Sequence, residues 1–298
     1  MGYRNIMISN NVSLSIKNAQ LIIDNTDISI PIEDINCLVL EGRAIKVSTY
    51  MLEFMSSQGV VVFMCDEKHI PSTVVLPLSI HSRHFKMLKL QIGLGKPFQK
   101  RLWQQIVVQK ICNQARCLEL LGKDNAKELY QMSKEVQSGD KTHVEAKAAA
   151  LYFRSLFGKD FARSDETLIN ASLNYLYAIV RGIIARTIIS YGFEPSIGLF
   201  HKSELNAYNL ADDMIEPFRP MVDYYVVSNG LTEDGDMTPD IKKMLFKFLN
   251  YDMSIQGENH IISNSIDKMI KSFSSCLNGN KETLLMPDVI ELRIHSYE

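Results

Sequence analysis

The hydrophobic period of this chain changes once, and that change limits what it can fold into. Up to about residue 76 the apolar residues come in short runs of strand length. After Pro77 they recur at helical spacing. In the first part Ile6–Ser9, Val12–Ile16, Gln20–Asp24 and Asp27–Pro31 are punctuated by Asn, Asp and Ser. Val12, Leu14 and Ile16 alternate with Ser13 and Ser15, as a strand with one buried face requires. Cys37–Leu40 and Val60–Met64 are unbroken apolar runs. Between them Ser48–Gly59 reads as one helix with a Ser or Thr N-cap and a terminal Gly. Two packed sheets with a helix inserted fit this pattern.

Pro71 and Pro77 suit neither a helix interior nor a central strand, so they bracket a hinge at about 71–80. Beyond it, Phe85, Leu88, Leu90 and Ile92, then Leu102, Ile106, Val107 and Ile111, follow helical spacing, with Pro97 separating the two helices. Further helices are expected at Asn125–Ser138, 143–157, 166–191, Met237–Tyr251 and Ile262–Ser275. Leu284–Ile294 reads equally as a short strand or a helix. The expected fold class is α+β in two domains. A small N-terminal β-sandwich-like domain over 1–76 is followed by a larger all-α domain over 77–298.

The 298 residues include 46% hydrophobic and 22% charged residues, the balance of an ordinary folded domain. The formal net charge of −2 argues mildly against a polyanion partner, but local charge decides binding. From Lys68 to Leu118 there is no Asp or Glu, while Arg83, Lys86, Lys89, Lys96, Lys100, Arg101, Lys110 and Arg116 all fall there. Such a block reads either as a solvated helix face or as the footprint of a nucleic acid. The five cysteines show no C-x-x-C spacing and are odd in number, so neither a zinc knuckle nor a disulfide framework is expected. The N-terminus has no secretory apolar segment, and no run approaches the roughly 18 apolar residues of a membrane span. A reducing cytoplasmic setting is the expectation.

Three places carry residues fit for chemistry. Glu145 stands in the Ala-rich run His143–Arg154, where Glu is ordinarily a solvated helix former, yet Ala148 and Ala149 allow another helix to approach closely. His201 ends the loop Gly192–His201, which is studded with Gly and Pro. It reads as a structural His or as a functional group on a rigid scaffold. Asp212, Asp213 and Glu216 follow. In a continuous helix Asp212 and Glu216 share a face, an arrangement that repels without a cation but is tolerable at a helix N-terminus. Pro217 would clash with the carbonyl of Asp213, so the helix should end or kink at Glu216. Imidazole with carboxylates is a ligand set suited to a divalent metal acting on phosphate. P-loop, dinucleotide-binding, HExxH and Gly-x-Ser-x-Gly patterns are absent from the sequence.

In this order, Glu145 in its helix, Tyr152–Gly158, Asn170–Tyr177, Gly198–His201 and Asn209–Pro220 make the chain resemble the CRISPR adaptation integrases, the metal-dependent DNA endonucleases that insert new spacers. The acid at Glu216 directly before Pro217-Phe218-Arg219-Pro220 resembles the type II branch. The resemblance implies that Glu145, His201 and Glu216 are the catalytic residues and hold Mg²⁺ or Mn²⁺, with Asp212 as the alternative to the last ligand, since many relatives use Asp there. It implies that a 3′-hydroxyl of captured DNA attacks a phosphate at the edge of a CRISPR repeat. Arg83, Lys86, Lys89, Lys100, Arg101, Lys110 and Arg154 would then hold DNA backbone, and Trp103 or Tyr152 would stack on frayed bases. The resemblance further implies a prokaryotic cytoplasmic protein and a homodimer joined through the β-domain. Two such dimers would be bridged by a small ferredoxin-like partner into a heterohexamer, working beside the RNA-guided effector nuclease and other type II adaptation proteins. Two other readings stay open: a nuclease of branched or single-stranded DNA, and a non-enzymatic DNA-binding scaffold.

Overall fold

The computed structural model describes residues 2–67, 69–76, 83–232, 234–279 and 281–296. Lys68, Pro77, His81 and the part of the expected hinge at 77–80 lie outside them.

The strand-rich part contains β1 (Arg4–Ile8), β2 (Ser13–Lys17), β3 (Gln20–Ile23), β4 (Ser29–Pro31), β5 (Ile35–Leu40), β6 (Lys46–Val47), helix α1 (Thr49–Ser57), β7 (Val61–Cys65) and β8 (Pro71–Val75). One sheet has the order β1-β5-β7-β8, the other β4-β3-β2-β6. Strands β1, β5 and β7 run parallel, and β8 closes the edge antiparallel to β7. Pro71 therefore opens an edge strand, where its missing N–H costs little.

The unbroken apolar runs have a physical cause here. Leu38 and Leu40 of β5 and Val62 of β7 pack with Leu14, Leu21, Met51 and Met55 between the two sheets and α1. Cys37, Val39, Val61 and Phe63 point the other way, into the core formed by the helices that follow. These strands are buried on both faces, so they do not alternate. Ser48 caps α1 by accepting a hydrogen bond from Met51 N at 3.1 Å.

The rest of the chain folds as α2 (His84–Ile92), α3 (Lys96–Leu120), α4 (Ala126–Glu135), α5 (Val144–Phe157), α6 (Leu168–Ser190), α7 (Asn209–Met214), α8 (Arg219–Ser228), α9 (Pro239–Phe246), β9 (Asp252–Ile255), β10 (Glu258–Ile261) and α10 (Ile262–Leu277). The expectation of an all-α second part is corrected by the β9–β10 hairpin. Gln256 and Gly257, both at positive φ (56° and 83°), make the tight two-residue turn that lets Ile255 pair with Glu258. Among the described residues the tail forms no regular element. It runs beside β9 through isolated bridges at Asp288 and Ile294.

Helix α6, interrupted by Arg181 and Arg186, holds no unbroken apolar run of roughly 18 residues. It is long and apolar enough to cross a membrane by length and composition alone, but 78% of its most apolar window is buried within the protein. It is the central helix, touching α7, α8, α9 and α10 as well as β7 and β8.

Candidate active site

The site lies where α3, the start of α5, the loop before α7 and the turn after α7 meet. Asp140 builds the start of α5. Its Oδ1 accepts a hydrogen bond from Val144 N at 2.9 Å and its Oδ2 one from Glu145 N at 3.1 Å. Glu145 is thereby held in the first turn, facing α3. The chain after α7 behaves as Pro217 requires. The helix stops at Met214, Glu216–Phe218 form a 3₁₀ turn, and α8 begins at Arg219. Asn113 on α3 fixes this turn by donating from Nδ2 to Pro217 O at 2.7 Å.

Because the helix breaks, Asp212 and Glu216 do not share a face. Asp212 turns to α6, where Arg181 grips it at 2.6 and 2.9 Å and Asn206 Nδ2 donates at 2.6 Å. Glu216 turns inward to Lys110, with Nζ 2.5 Å from Oε2, and to Arg219, whose Nε donates to Oε1 at 2.8 Å. Lys110 Nζ also donates to Glu145 Oε1. The ammonium of Lys110 thus joins Glu145 and Glu216.

Asp213 organises the histidine loop. It is wholly buried and accepts hydrogen bonds from the backbone N–H groups of Leu199 (2.5 Å), Phe200 (3.1 Å) and His201 (3.1 Å), and from His201 Nδ1 (2.8 Å). Nδ1 is committed to the carboxylate, which leaves Nε2 as the ring nitrogen free for a ligand. A side chain at Gly198 would crowd Asp213 Oδ2, 2.8 Å from where its Cβ would stand, so only glycine lets the loop close on the acid.

The electrostatics follow from these contacts. Burial would raise the Glu216 carboxyl, but Lys110 and Arg219 outweigh it and hold it at about 2. Burial likewise works against the Lys110 ammonium, and the charges of Glu216 and Glu145 overcome it and raise its pKa. His201 is raised chiefly by its hydrogen bond to Asp213, against burial, and it also feels the charge of Glu216.

No three His, Cys, Asp or Glu side chains stand together as a ready-made metal cluster among the described residues. The donor chemistry nevertheless fits a divalent ion. Two carboxylates converge on one positive charge, the ammonium that stands 2.5 Å from the buried Glu216 Oε2. His201 lies close enough to feel Glu216 and keeps one nitrogen open.

Of the expected DNA contacts, Arg83, Lys86 and Lys89 on or beside α2, Lys100 and Arg101 on α3 and Arg154 on α5 are exposed. Lys110 is corrected: it is buried between the two acids and is not a surface cation. The two expected stacking residues are corrected as well. Tyr152 is fully buried and donates to Asp223 at 3.0 Å, and Trp103 lies 2% exposed beneath Phe200. Phe200, which sequence reasoning passes over, stacks on Trp103 at 4.4 Å and is itself 47% exposed beside His201. Arg219 stands out in the sequence only as part of the Pro-Phe-Arg-Pro run. Its spacing of three from Glu216 is the available signal of an ion pair.

The family model described as "CRISPR associated protein Cas1" matches residues 6–241. The chain is 41% identical to the CRISPR-associated endonuclease Cas1 of Neisseria meningitidis serogroup C, with both chains covered in full. It is 22% identical to a CRISPR-associated endonuclease Cas1 of Francisella tularensis subsp. novicida, over 71% of this chain and 73% of the relative. Among solved structures, a casposase bound to integration product aligns with a TM-score of 0.75 at 18% identity, covering 95% of this chain and 92% of the other. A CAS1 protein from Thermotoga maritima aligns at 0.75 and 16% identity, over 93% and 98%. A Cas6-RT-Cas1–Cas2 complex aligns at 0.70 and 16% identity, over 94% of this chain and 35% of that one. These structural likenesses establish a shared fold.

Proposed function

The chain belongs to the CRISPR-associated Cas1 family, and from that premise we propose that it is a metal-dependent DNA integrase and endonuclease of CRISPR adaptation. In the proposed reaction the 3′-hydroxyl oxygen of captured DNA bonds to a phosphorus at the edge of a CRISPR repeat. The displaced 3′-oxygen leaves with a proton. With water as the attacking group the same site cuts DNA instead of joining it. The observation that carries this reading is the convergence of Glu145 and Glu216 on one positive charge beside a histidine whose Nδ1 is locked by Asp213.

Glu145, Glu216 and His201 Nε2 would hold Mg²⁺ or Mn²⁺, which supplies Lewis acidity toward a scissile phosphate. The protein's own groups prepare that arrangement. Lys110 and Arg219 keep Glu216 ionised at any working pH, and Asp213 fixes the tautomer and angle of the imidazole. Lys110 also offsets the repulsion between the two acids. The exposed cations Arg83, Lys86, Lys89, Lys100, Arg101 and Arg154 are proposed to contact DNA backbone. The type II assignment rests on the Glu216-Pro217-Phe218-Arg219-Pro220 register and is supported by the full-length match to the Neisseria relative. A homodimer, a ferredoxin-like partner completing a heterohexamer, the company of an RNA-guided effector nuclease and a prokaryotic cytoplasmic setting belong to the same proposal. The structural likeness to a Cas1–Cas2 complex is in keeping with them.

The test is strand transfer of a 3′-hydroxyl duplex into a repeat-bearing plasmid with Mn²⁺, comparing the parent chain with His201→Ala. Joined product from the parent and a loss of at least about 100-fold in the variant are expected. Cleavage without joining turns the assignment to a nuclease. Equal activity in both removes His201 from the mechanism, and DNA binding with neither reaction leaves a scaffold.

A further inference from the structure

A second polar site lies at the C-terminal end of α6. Arg186 is 4% exposed, and its Nε is buried with no hydrogen-bond partner. The carboxylate that acts on it is Asp267, which attracts it through space without closing an ion pair, and Asp267 Oδ1 already accepts from Tyr191 OH at 3.1 Å. Burial consequently holds the guanidinium below its ordinary pKa, against the weaker pull of Asp267. An uncompensated cation inside a protein is costly, because it loses its water and gains no counter-charge.

Arg186 lines a cavity of about 240 Å³ between the N-terminal strands and α6, together with Asn36, Gln58, Gly59 and Ser190. Among the described residues of its wall there is no acid, and Arg186 stands there with neutral polar groups. Asn36 is 2% exposed; its Nδ2 donates to Asn5 Oδ1 at 2.9 Å, and its unpartnered Oδ1, which can only accept, would meet a protonated oxygen of the guest. The Ser190 hydroxyl donates to Thr187 O at 2.7 Å within its own helix, and a hydroxyl can turn to another acceptor. Gln58 stands exposed at the mouth with an amide able to donate. A planar guanidinium is built to grip an oxyanion through two parallel hydrogen bonds.

We propose that this cavity is a binding site for a phosphate-type oxyanion, with Arg186 as its anchor. The guest supplies the counter-charge that the protein withholds, and it ties the N-terminal sheet to α6. The site shares no residue with the acids and histidine of the active site.

The experiment is thermal unfolding of the full chain in chloride buffer, with inorganic phosphate titrated at constant ionic strength. The parent midpoint should rise saturably, by about 3 °C or more at high phosphate. Arg186→Met should not respond, and without phosphate it should melt above the parent because the unpaired charge is gone. Gln58→Glu, a surface change that spares the fold, places a carboxylate at the mouth and should weaken the response at least threefold. A parent chain that ignores phosphate overturns the proposal. So does an equal response in parent and Arg186→Met, or, if that variant does not fold, in parent and Gln58→Glu. Adenosine monophosphate serves as a second probe. Saturation at lower concentration than phosphate assigns the guest to a nucleotide ester, and equal saturation assigns it to free phosphate.

Discussion

Asp213 shows how much one buried side chain decides at the residue scale. It receives four hydrogen bonds from Leu199, Phe200 and His201, and one of them is the bond that holds the imidazole ring at Nδ1. An amide in its place offers one oxygen to four donors and turns an N–H₂ toward at least one of them. Asp213→Asn is therefore expected to fold and bind DNA but to lower strand transfer about 10- to 100-fold, the usual cost of losing the carboxylate behind a ligating histidine. Gel-resolved joining rates with a parallel melting curve check this. A variant as active as the parent would show that the backbone loop alone orients His201. Local signals in the sequence reach Glu145, His201, Glu216 and the break at Pro217. Asp213 stands in plain view beside Asp212, but spacing alone does not assign which acid faces the loop. That choice depends on Arg181 on α6 claiming Asp212.

At the scale of elements, α8 supports the site from behind. Its first residue, Arg219, reaches Glu216, and one turn later Asp223 accepts hydrogen bonds from Tyr152 on α5 and Tyr177 on α6. Asp223 is 1% exposed, and burial, only partly opposed by the two tyrosine hydrogen bonds, raises its pKa from 3.8 to about 6. A carboxyl whose pKa is higher folded than unfolded binds its proton more tightly in the folded state. Its contribution to stability is thus complete below about pH 3.8 and lost as pH rises through about 6. Asp223→Asn has no such dependence. Relative to the parent it is expected to gain about 2–3 kcal/mol between pH 4 and pH 7. Urea unfolding at the two pH values measures this, and a constant difference between parent and variant would refute the raised pKa. The helices themselves are readable because long amphipathic or apolar runs and N-caps such as Thr167 on α6 are local features. The β9–β10 hairpin escapes because its strands are four residues each and it is steadied by distant segments. Asp252 N donates to Arg293 O at 3.0 Å, and Ser254 pairs with Asp288.

Over the whole molecule, the strands and the helices are joined through partners that no sequence window contains. Glu41, just after β5, accepts from Lys242 on α9 at 3.0 Å across 201 residues, and each side chain is 4% exposed. Ser9 Oγ donates to the other carboxylate oxygen at 2.6 Å, so the acid is satisfied on both sides. Such a pair contributes little net stability over an apolar substitute, because both charges were taken from water. Removing one partner strands the other in a dry interior. Lys242→Met should therefore cost about 3 kcal/mol or more, whereas Glu41→Gln combined with Lys242→Met should recover a large part of that loss. The double-mutant cycle in urea reads the coupling directly. If the two single losses simply add, the pair does not lock the sheet to the helices, and that task falls to the apolar contact of Phe63 on β7 with Gly182 on α6. There a glycine admits the ring where any side chain would collide with it. The two cases separate cleanly: Gly182→Ala should destabilise the molecule either way, but only a coupled ion pair makes the double variant more stable than Lys242→Met alone.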